Sequence, residues 1–518
     1  MESTTNYTKY YTTNQLVLPL EIGIKLEKDS EVYTYLELMK GINLNKYFDS
    51  PEIKGRNRKN RVRILNAILF GFMVDVRSTR KIEGACKNDI RFMYLLGEMN
   101  PPSHTLINDV MNEIKDKLDY LLLEINQAIM AREDLELDYL YIDGTKIEAD
   151  ANKYTFKWKK SILKFREKLY KKMHKQILQY NEVMEKYGYK ALTKQEKYKA
   201  KEIQKIVDRV LGLINHLGIE LVYGKGKRKT EIQRLYDDIH GLHTKLIEYE
   251  KDLEIIGPNR NSYAKTDHDA TFMHMKEDHM QNAQLKPGYN VQIGVSNEYI
   301  MTVEAYQNGS DQLTFEPFLE KYNLMYDRYP KYPVADAGYG SYDNYTYCIE
   351  HGMELYQKYN TWELERSKKH KNNIFHKNNF KKDKDGDYRC PRNKKFIKLY
   401  EYQSKYIRHE HKKIKYECDY CQRCRLKKKC TKAKGNRAFT EIKGFKEIKN
   451  KVNDNLASEL GIKLRTQRSI QVEGAFGIIK EDMKFRRFTR TMFSGIKLEL
   501  NMIVIGYNLK KFHNKRFR

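Results

Sequence analysis

The sequence has no apolar run long enough to span a bilayer. Its best candidate, Leu498 to Leu509, is broken by Glu499, Asn501 and Asn508. The opening MESTTNYTKYYTTNQLVLPLEIGIKL does not pair a basic start with an uninterrupted apolar core, so it does not read as a secretory signal. Both absences predict a cytoplasmic protein with no membrane partner. Cysteine is scarce, 7 in 518 residues, and five of the seven fall between Cys390 and Cys430. In a reducing compartment such clustering points to a metal or to unmodified thiols and away from disulfides. Proline is missing from Asp143 to Pro258, which leaves a long Lys- and Glu-rich stretch free to be helical.

A length of 518 residues suits two or three modules with a substantial interior. The 97 basic and 69 acidic side chains give a net charge of +28. Attraction to a polyanion by counterion release follows. Lys, Asn, Ile and Tyr are all abundant, as in an A- and T-rich coding sequence, so the charge is supporting evidence only.

Three acidic motifs lie far apart: Asp143 in YIDGT, Asp336 in VADAGYGS and Glu473 in VEGAFGIIK. The first two follow runs that read as strands, Leu137 to Ile142 and Tyr332 to Ala335, each expected to meet a glycine-bearing turn at once. The third sits in a helical pattern beside Val472 and Phe476. Most of the 69 acids are expected to be solvated surface groups. These three instead have apolar neighbours that disfavour an unpartnered charge. Carboxylates brought together in this way would hold two hard divalent cations, Mg²⁺ or Mn²⁺.

The rest of the pattern divides the chain. Residues 1–45 read as an N-terminal arm, with Leu16 to Leu20 able to pack. Residues 46–130 read as a helical domain for DNA binding or dimerisation, with Arg77, Arg80 and Lys81 as candidate phosphate contacts. The remainder, 131–518, reads as a catalytic domain with two insertions. The first, at about 152–260, carries two apolar stripes, Ile162 to Met184 and Ile232 to Leu253, spaced for helices of a hairpin or bundle. Its lysines are expected to form a solvated face, with a DNA-gripping or dimerising arm as the functional alternative. The second, at about 360–450, is basic and Cys-rich. Between the insertions come a hairpin, Tyr289 to Val295 and Glu298 to Tyr306, a helix from Asp311 to about Tyr326, and the strand before Asp336. A helix from about Ser341 to Glu350 and a short strand from Met353 to Gln357 complete the core. This order matches a ribonuclease H-like core, in which the first and fourth strands lie side by side at the sheet centre. Asp143 and Asp336, 193 residues apart, would meet there.

The segments YIDGTKIEADANKYTFKW, GYNVQIGV, VADAGYGS and VEGAFGIIKEDMKFRRFTR resemble the DDE transposases of bacterial insertion sequences, of the insertion sequence 1182 type. FGFMVDVRSTRKIEGACKNDIRFMYLLG resembles their helical N-terminal domain, so the likeness runs along nearly the whole chain. The resemblance implies a mixed α/β and α+β fold: a ribonuclease H-like core with a helical N-terminal domain, a helical insertion and a Cys-rich insertion. It implies catalytic metal ligation by Asp143, Asp336 and Glu473, cleavage at element ends, and strand transfer. It also implies a homodimer or higher oligomer on the terminal inverted repeats and target DNA in a bacterial nucleoid. The family's lysine seven residues after the glutamate is Lys480. Its arginine four residues before is Ser469 here, with Arg468 and Arg465 nearby. Among the cysteines it implies Cys390, Cys421, Cys424 and Cys430 as ligands of one structural Zn²⁺, leaving Cys418 spare. Arg486, Arg487 and Arg490 form a basic run suited to DNA backbone contact. Cys86 and Cys348 are expected to be buried packing. The rival readings are a metal-dependent nuclease that only cuts, and a DNA-binding protein without catalysis.

Overall fold

The computed structural model describes residues 26–48, 59–97, 99–275, 284–403 and 408–517. Leu16 to Leu20 lie outside them. Six helices come first: α1 (Glu31–Met39), α2 (Arg61–Met73), α3 (Thr79–Asn88), α4 (Ile90–Leu96), α5 (His104–Glu113) and α6 (Leu118–Met130). Asn60, Ser78, Asp89 and Ser103 cap α2 to α5 by accepting a first-turn backbone N–H. The stretch read as an arm therefore contains α1, whose Val32, Tyr35 and Leu38 are buried.

The middle of the chain supplies β1 (Tyr139–Glu148), β2 (Phe156–Trp158), α7 (Lys159–Glu185), α8 (Ala200–His216), α9 (Glu231–Ile256), β3 (Ser262–Ala264), β4 (Thr271–His274), β5 (Leu285–Ser296) and β6 (Tyr299–Tyr306). After these come α10 (Phe315–Tyr326), β7 (Tyr332–Ala335) and α11 (Tyr342–Glu350). The main sheet has the order β4-β5-β1-β7, and β6 also pairs with β5. Asn297 (φ 47°) and Glu298 (φ 71°) turn the β5–β6 hairpin, the positive φ values that a two-residue primed turn requires. Helices α7, α8 and α9 bury a core of their own, from Leu169 to Leu246, so the insertion is a three-helix arm rather than a hairpin.

The structure corrects two expectations. β1 does not stop at Ile142. It runs through Asp143 to Glu148, because β5 pairs with it over residues 141–148 and supplies ladder partners past the expected turn. The strand expected at Met353 to Gln357 forms no ladder, and β7 is an edge strand. Pro333 in β7 has no N–H to give, and its carbonyl is taken by the Gln357 side chain instead of a backbone N–H.

The last third contributes α12 (Trp362–Arg366), α13 (Lys368–Lys371), β8 (Lys381–Lys382), β9 (Tyr388–Arg389), β10 (Phe396–Gln403), β11 (Lys412–Cys418), α14 (Lys427–Cys430) and β12 (Ala438–Ile442). Helices α15 (Phe445–Ala457), α16 (Glu459–Arg468), α17 (Gly474–Gly477) and α18 (Met492–Arg516) follow. Strands β10, β11 and β12 form a separate sheet around Phe380, Phe396 and Phe439. The broken apolar run is the buried heart of α18. There Glu499 accepts from the Thr489 N–H at 2.9 Å, and Asn508 Nδ2 donates to Asn126 Oδ1 at 2.8 Å. Partnered in this way, the polar groups are tolerated inside. The helical N-terminal part, the main sheet and α18 share one continuous core. No described helix is long and apolar enough to cross a membrane.

Candidate active site

The site begins with strand register. β1 and β7 are parallel, with Ile142 opposite Ala335. Asp143 and Asp336 each come one residue after this last ladder pair, so the register brings them to neighbouring positions at the end of β7. Each carboxylate is oriented by its own backbone: Asp143 Oδ1 accepts from the Gly144 N–H at 2.7 Å, and Asp336 Oδ1 from the Gly338 N–H at 2.8 Å. Asp143 Oδ2 is 3.3 Å from Arg468 Nη1 at the end of α16. Both side chains of that pair are about 15 % exposed, which reduces solvent screening between them. Of Arg465 and Arg468, the two arginines shortly before Glu473, Arg468 is the one that reaches an acid. Arg465 lies over the Trp362 ring, 5.3 Å from its centroid.

Under the aspartates lies a buried polar scaffold. Asn290 and Gln292 donate to Asp311 Oδ1 at 2.8 and 3.1 Å. The Tyr339 hydroxyl donates to Gln292 Oε1. Burial first, then Asp311, Asp143 and Asp336, hold the Tyr339 phenol well above its usual range, so it stays a protonated donor. Gly144 is required by close approach, because a Cβ there would collide with the Gln292 amide. Gly340 is required likewise by the Lys358 carbonyl and by Tyr345 Oη at 2.6 Å. Asn290, Gln292 and Asp311 were not singled out from sequence. The available signal was GYNVQIGV itself, where two amides alternate with Tyr289, Val291 and Ile293 in a strand buried on both faces.

Glu473 ends a π-helical turn, Ser469–Glu473, and a second π-turn, Ile478–Asp482, follows α17. Val472 and Ala475 are buried, and the first turn packs on β1 and β5. Gln471 Oε1 pins that turn by accepting from the Glu298 N–H at 3.0 Å. The Glu473 side chain is exposed. The structure therefore brings the two aspartates together and sets the helix of the third acid against the same strands. No group of three or more His, Cys, Asp or Glu side chains is gathered into a metal-ligating cluster among the described residues. Adjacent carboxylates are hard oxygen donors and suit a hard divalent cation.

The DNA-contact candidates separate into two groups. Arg77 donates to the Met483 carbonyl, and Arg490 reaches Asn108 at 2.7 Å and Asn112 at 3.2 Å. Both guanidiniums turn inward and tie the N-terminal helices to the C-terminal part of the chain, so neither is presented to a phosphate. Burial lowers both from the usual arginine range. Arg80 and Lys81 are exposed on α3. Arg487 pairs with Asp150 at 2.9 Å, Arg486 pairs with Glu481, and Lys480 lies beside the Phe476 ring.

Cys390, Cys418, Cys421, Cys424 and Cys430 line one cavity of about 280 Å³. Backbone N–H groups of Arg392 and Lys394 point at Cys390 Sγ (3.4 and 3.3 Å), and that of Arg437 at Cys421 Sγ (3.4 Å). Burial pushes the Cys418 thiol up to about 12. These thiols share a cavity with donors aimed at sulfur, while no three of them are gathered into a metal-ligating group among the described residues. Cys86 and Cys348 are buried.

Two parts of the chain match family models. Residues 389–513 match that of a transposase DDE domain, and residues 27–113 that of a transposase domain of the DUF772 family. No curated protein and no solved structure gives a significant match. These two segments, less than half of the chain together, are similar to a transposase DDE domain and to a second transposase domain.

Proposed function

We propose that this chain, with transposase-family sequence in its helical N-terminal part and in its C-terminal third, is the transposase of an insertion sequence of the 1182 type, built on a ribonuclease H-like core. It would bind the element's terminal inverted repeats as a dimer or higher oligomer, cut there and join the ends to target DNA. The observation that carries this reading is the parallel β1–β7 register, which puts Asp143 beside Asp336 although they are 193 positions apart. Unrelated surface acids have no reason to meet at adjacent strand positions in a buried sheet.

Asp143, Asp336 and Glu473 would hold two Mg²⁺ or Mn²⁺ ions, which supply charge neutralisation at the attacking and departing oxygens of a phosphodiester. The chain's own share is alignment. Gly144 and Gly338 backbone N–H groups fix the two aspartates, and the Gln292–Tyr339 contact locks the 336–340 turn to β5. Arg468 neutralises Asp143 until the site is loaded. Glu473 closes the site from its helix. The π-turns and the unencumbered Gly474 and Gly477 leave that helix room to adjust its register. Lys480 would hold the terminal phosphate, with Arg80, Lys81, Arg486 and Arg487 on flanking backbone. No covalent protein intermediate is needed, since a freed 3′ hydroxyl is itself the nucleophile for joining. The Cys390, Cys421, Cys424 and Cys430 thiols would hold one structural Zn²⁺, which would reinforce the small apolar core around Phe380, Phe396 and Phe439.

Asp143→Ala, Asp336→Ala and Glu473→Gln are each expected to abolish Mg²⁺-dependent cleavage of an end duplex, by a factor of about 10³ or more, while binding to the same duplex persists. Retained cleavage in any one removes that residue from the site. Joined products on a pre-nicked end duplex separate a transposase from an enzyme that only cuts.

A further inference from the structure

We infer that the solvent face of α7 is a track for the DNA backbone, separate from the catalytic cleft. The arm's charge is strongly polarised between its helices. α7 carries eight basic and three acidic residues, whereas α9, packed against it, carries three basic and seven acidic. Lys160, Lys164, Lys168, Lys171 and Lys175 recur at steps of four, four, three and four, which places them in one line along the helix. All five are exposed, and none is paired with a carboxylate among the described residues. A helix face that is merely solvated alternates charge sign and carries i, i+4 pairs. This face sets five lysines against two acids, Glu167 and Glu182, and no ion pair among the described residues joins either acid to those lysines.

The stripe has direction and an end point. α7 leaves β2 beside the main sheet and extends for 27 residues, about 40 Å at 1.5 Å per residue. At its far end Lys186 meets Glu231, so the α8–α9 loop sits at the same tip. That loop presents Lys225, Lys227 and Arg228, all exposed, with Gly224 (φ 105°) and Gly226 (φ 85°) shaping the turn. Tyr187 (44 % exposed) and Tyr223 (56 %) stand among them. Successive lysines about 6 Å apart match the spacing of phosphates along a strand, and the line from Lys160 to Lys175, about 22 Å long, covers about 6 to 7 base pairs. Duplex DNA is the partner that such a repeating cationic line fits.

The inference rests on the proposed function only for the nature of the partner, and a binding assay in EDTA keeps the two separable. The full-length protein and its Lys164→Gln/Lys168→Gln/Lys171→Gln/Lys175→Gln variant are titrated onto a duplex of about 40 base pairs across a salt series. With four phosphates no longer neutralised, the log–log salt slope is expected to fall by about 3 to 4, and affinity near 0.1 M salt by about tenfold or more. The matching Lys→Arg variant should bind like the parent. Lys201→Gln/Lys205→Gln/Arg209→Gln, exposed cations on α8, should change the slope by less than about one. Equal slopes in parent and Gln variant overturn the track, as does an equal loss from the α8 control, which would reduce the effect to net charge. A changed oligomeric state with unchanged DNA affinity also overturns it, in favour of a protein-binding arm. If the parent itself does not bind DNA, the proposed function fails first.

Discussion

Replacing Arg468 with alanine should make the protein less stable without metal and more strongly stabilised by it. At 3.3 Å the Arg468–Asp143 pair has a gross attraction of about 5 kcal/mol at an effective dielectric of about 20. Desolvation of the pair offsets much of this. Removing the cation also leaves the charge of Asp143 beside that of Asp336 without its counter-charge, which adds to the loss. Water entering the alanine cavity relieves part of it, so a net loss of about 2–3 kcal/mol is expected. In an Asp143→Asn background the same change should cost less than about 1 kcal/mol, giving a coupling of about 2 kcal/mol in a double-mutant cycle read by urea unfolding. Magnesium provides the second readout. In the parent a dication competes with Arg468 for Asp143 Oδ2, whereas in the variant that competitor is gone, so the melting-temperature rise on adding about 10 mM Mg²⁺ should be larger in the variant. Unchanged stability in EDTA, or an equal rise on adding Mg²⁺, would refute the assignment of Arg468 as the cation that balances the site.

Gly144→Ala should destabilise by about 1–3 kcal/mol, because the added methyl meets a Gln292 amide that is itself fully buried and bonded to Asn290 and Asp311. Cleavage should fall with it, and a variant of parental stability would mean that Gln292 can swing aside. Purified protein should carry about one Zn²⁺ per chain, lost on joint Cys421→Ser/Cys424→Ser replacement, with faster proteolysis confined to residues 380–440. A metal-free parent with the same protease resistance would remove zinc from that cavity. Glu83, held by Lys87 and by the backbone and ring of His104, has its carboxyl lowered to about 2. Its folded value is depressed, so its contribution is present above the ordinary carboxylate value near 4.5 and is lost as pH falls toward 2. Glu83→Gln should therefore flatten the acid side of the stability profile, and an unchanged profile would show that the α3–α5 contact does not depend on this charge.

Much of the local structure was legible in the sequence. The alternation from Tyr289 to Tyr306 specified a hairpin closed around Ser296 and Asn297, which the structure turns one residue later at Asn297 and Glu298, and the stripes Ile162 to Met184 and Ile232 to Leu253 specified long helices. Tyr332 to Ala335 is the strand expected, because apolar periodicity and the following Gly-rich turn are both local signals. The limit of β1 was misread for the complementary reason: Gly144 reads as a turn, yet it is a strand residue whose missing side chain admits Gln292 from a segment far along the chain. Similarly, Arg77 and Arg490 carry the same charge as Arg80, but their burial depends on which helices pack over them.

The sequence alone determined the elements, the strong positive charge, the clustered cysteines and the three acidic motifs, since each depends on residues close together in the chain. The tertiary structure decided that Asp143 stands beside Asp336, that Arg468 is a cation on Asp143, that Glu473 is exposed on a distorted helix, and that five lysines of α7 face solvent in one line. Periodicity fixes which face of an element is apolar, but which other element covers that face is a non-local choice. It is made by register, packing and the partnering of buried polar groups between segments distant in the chain.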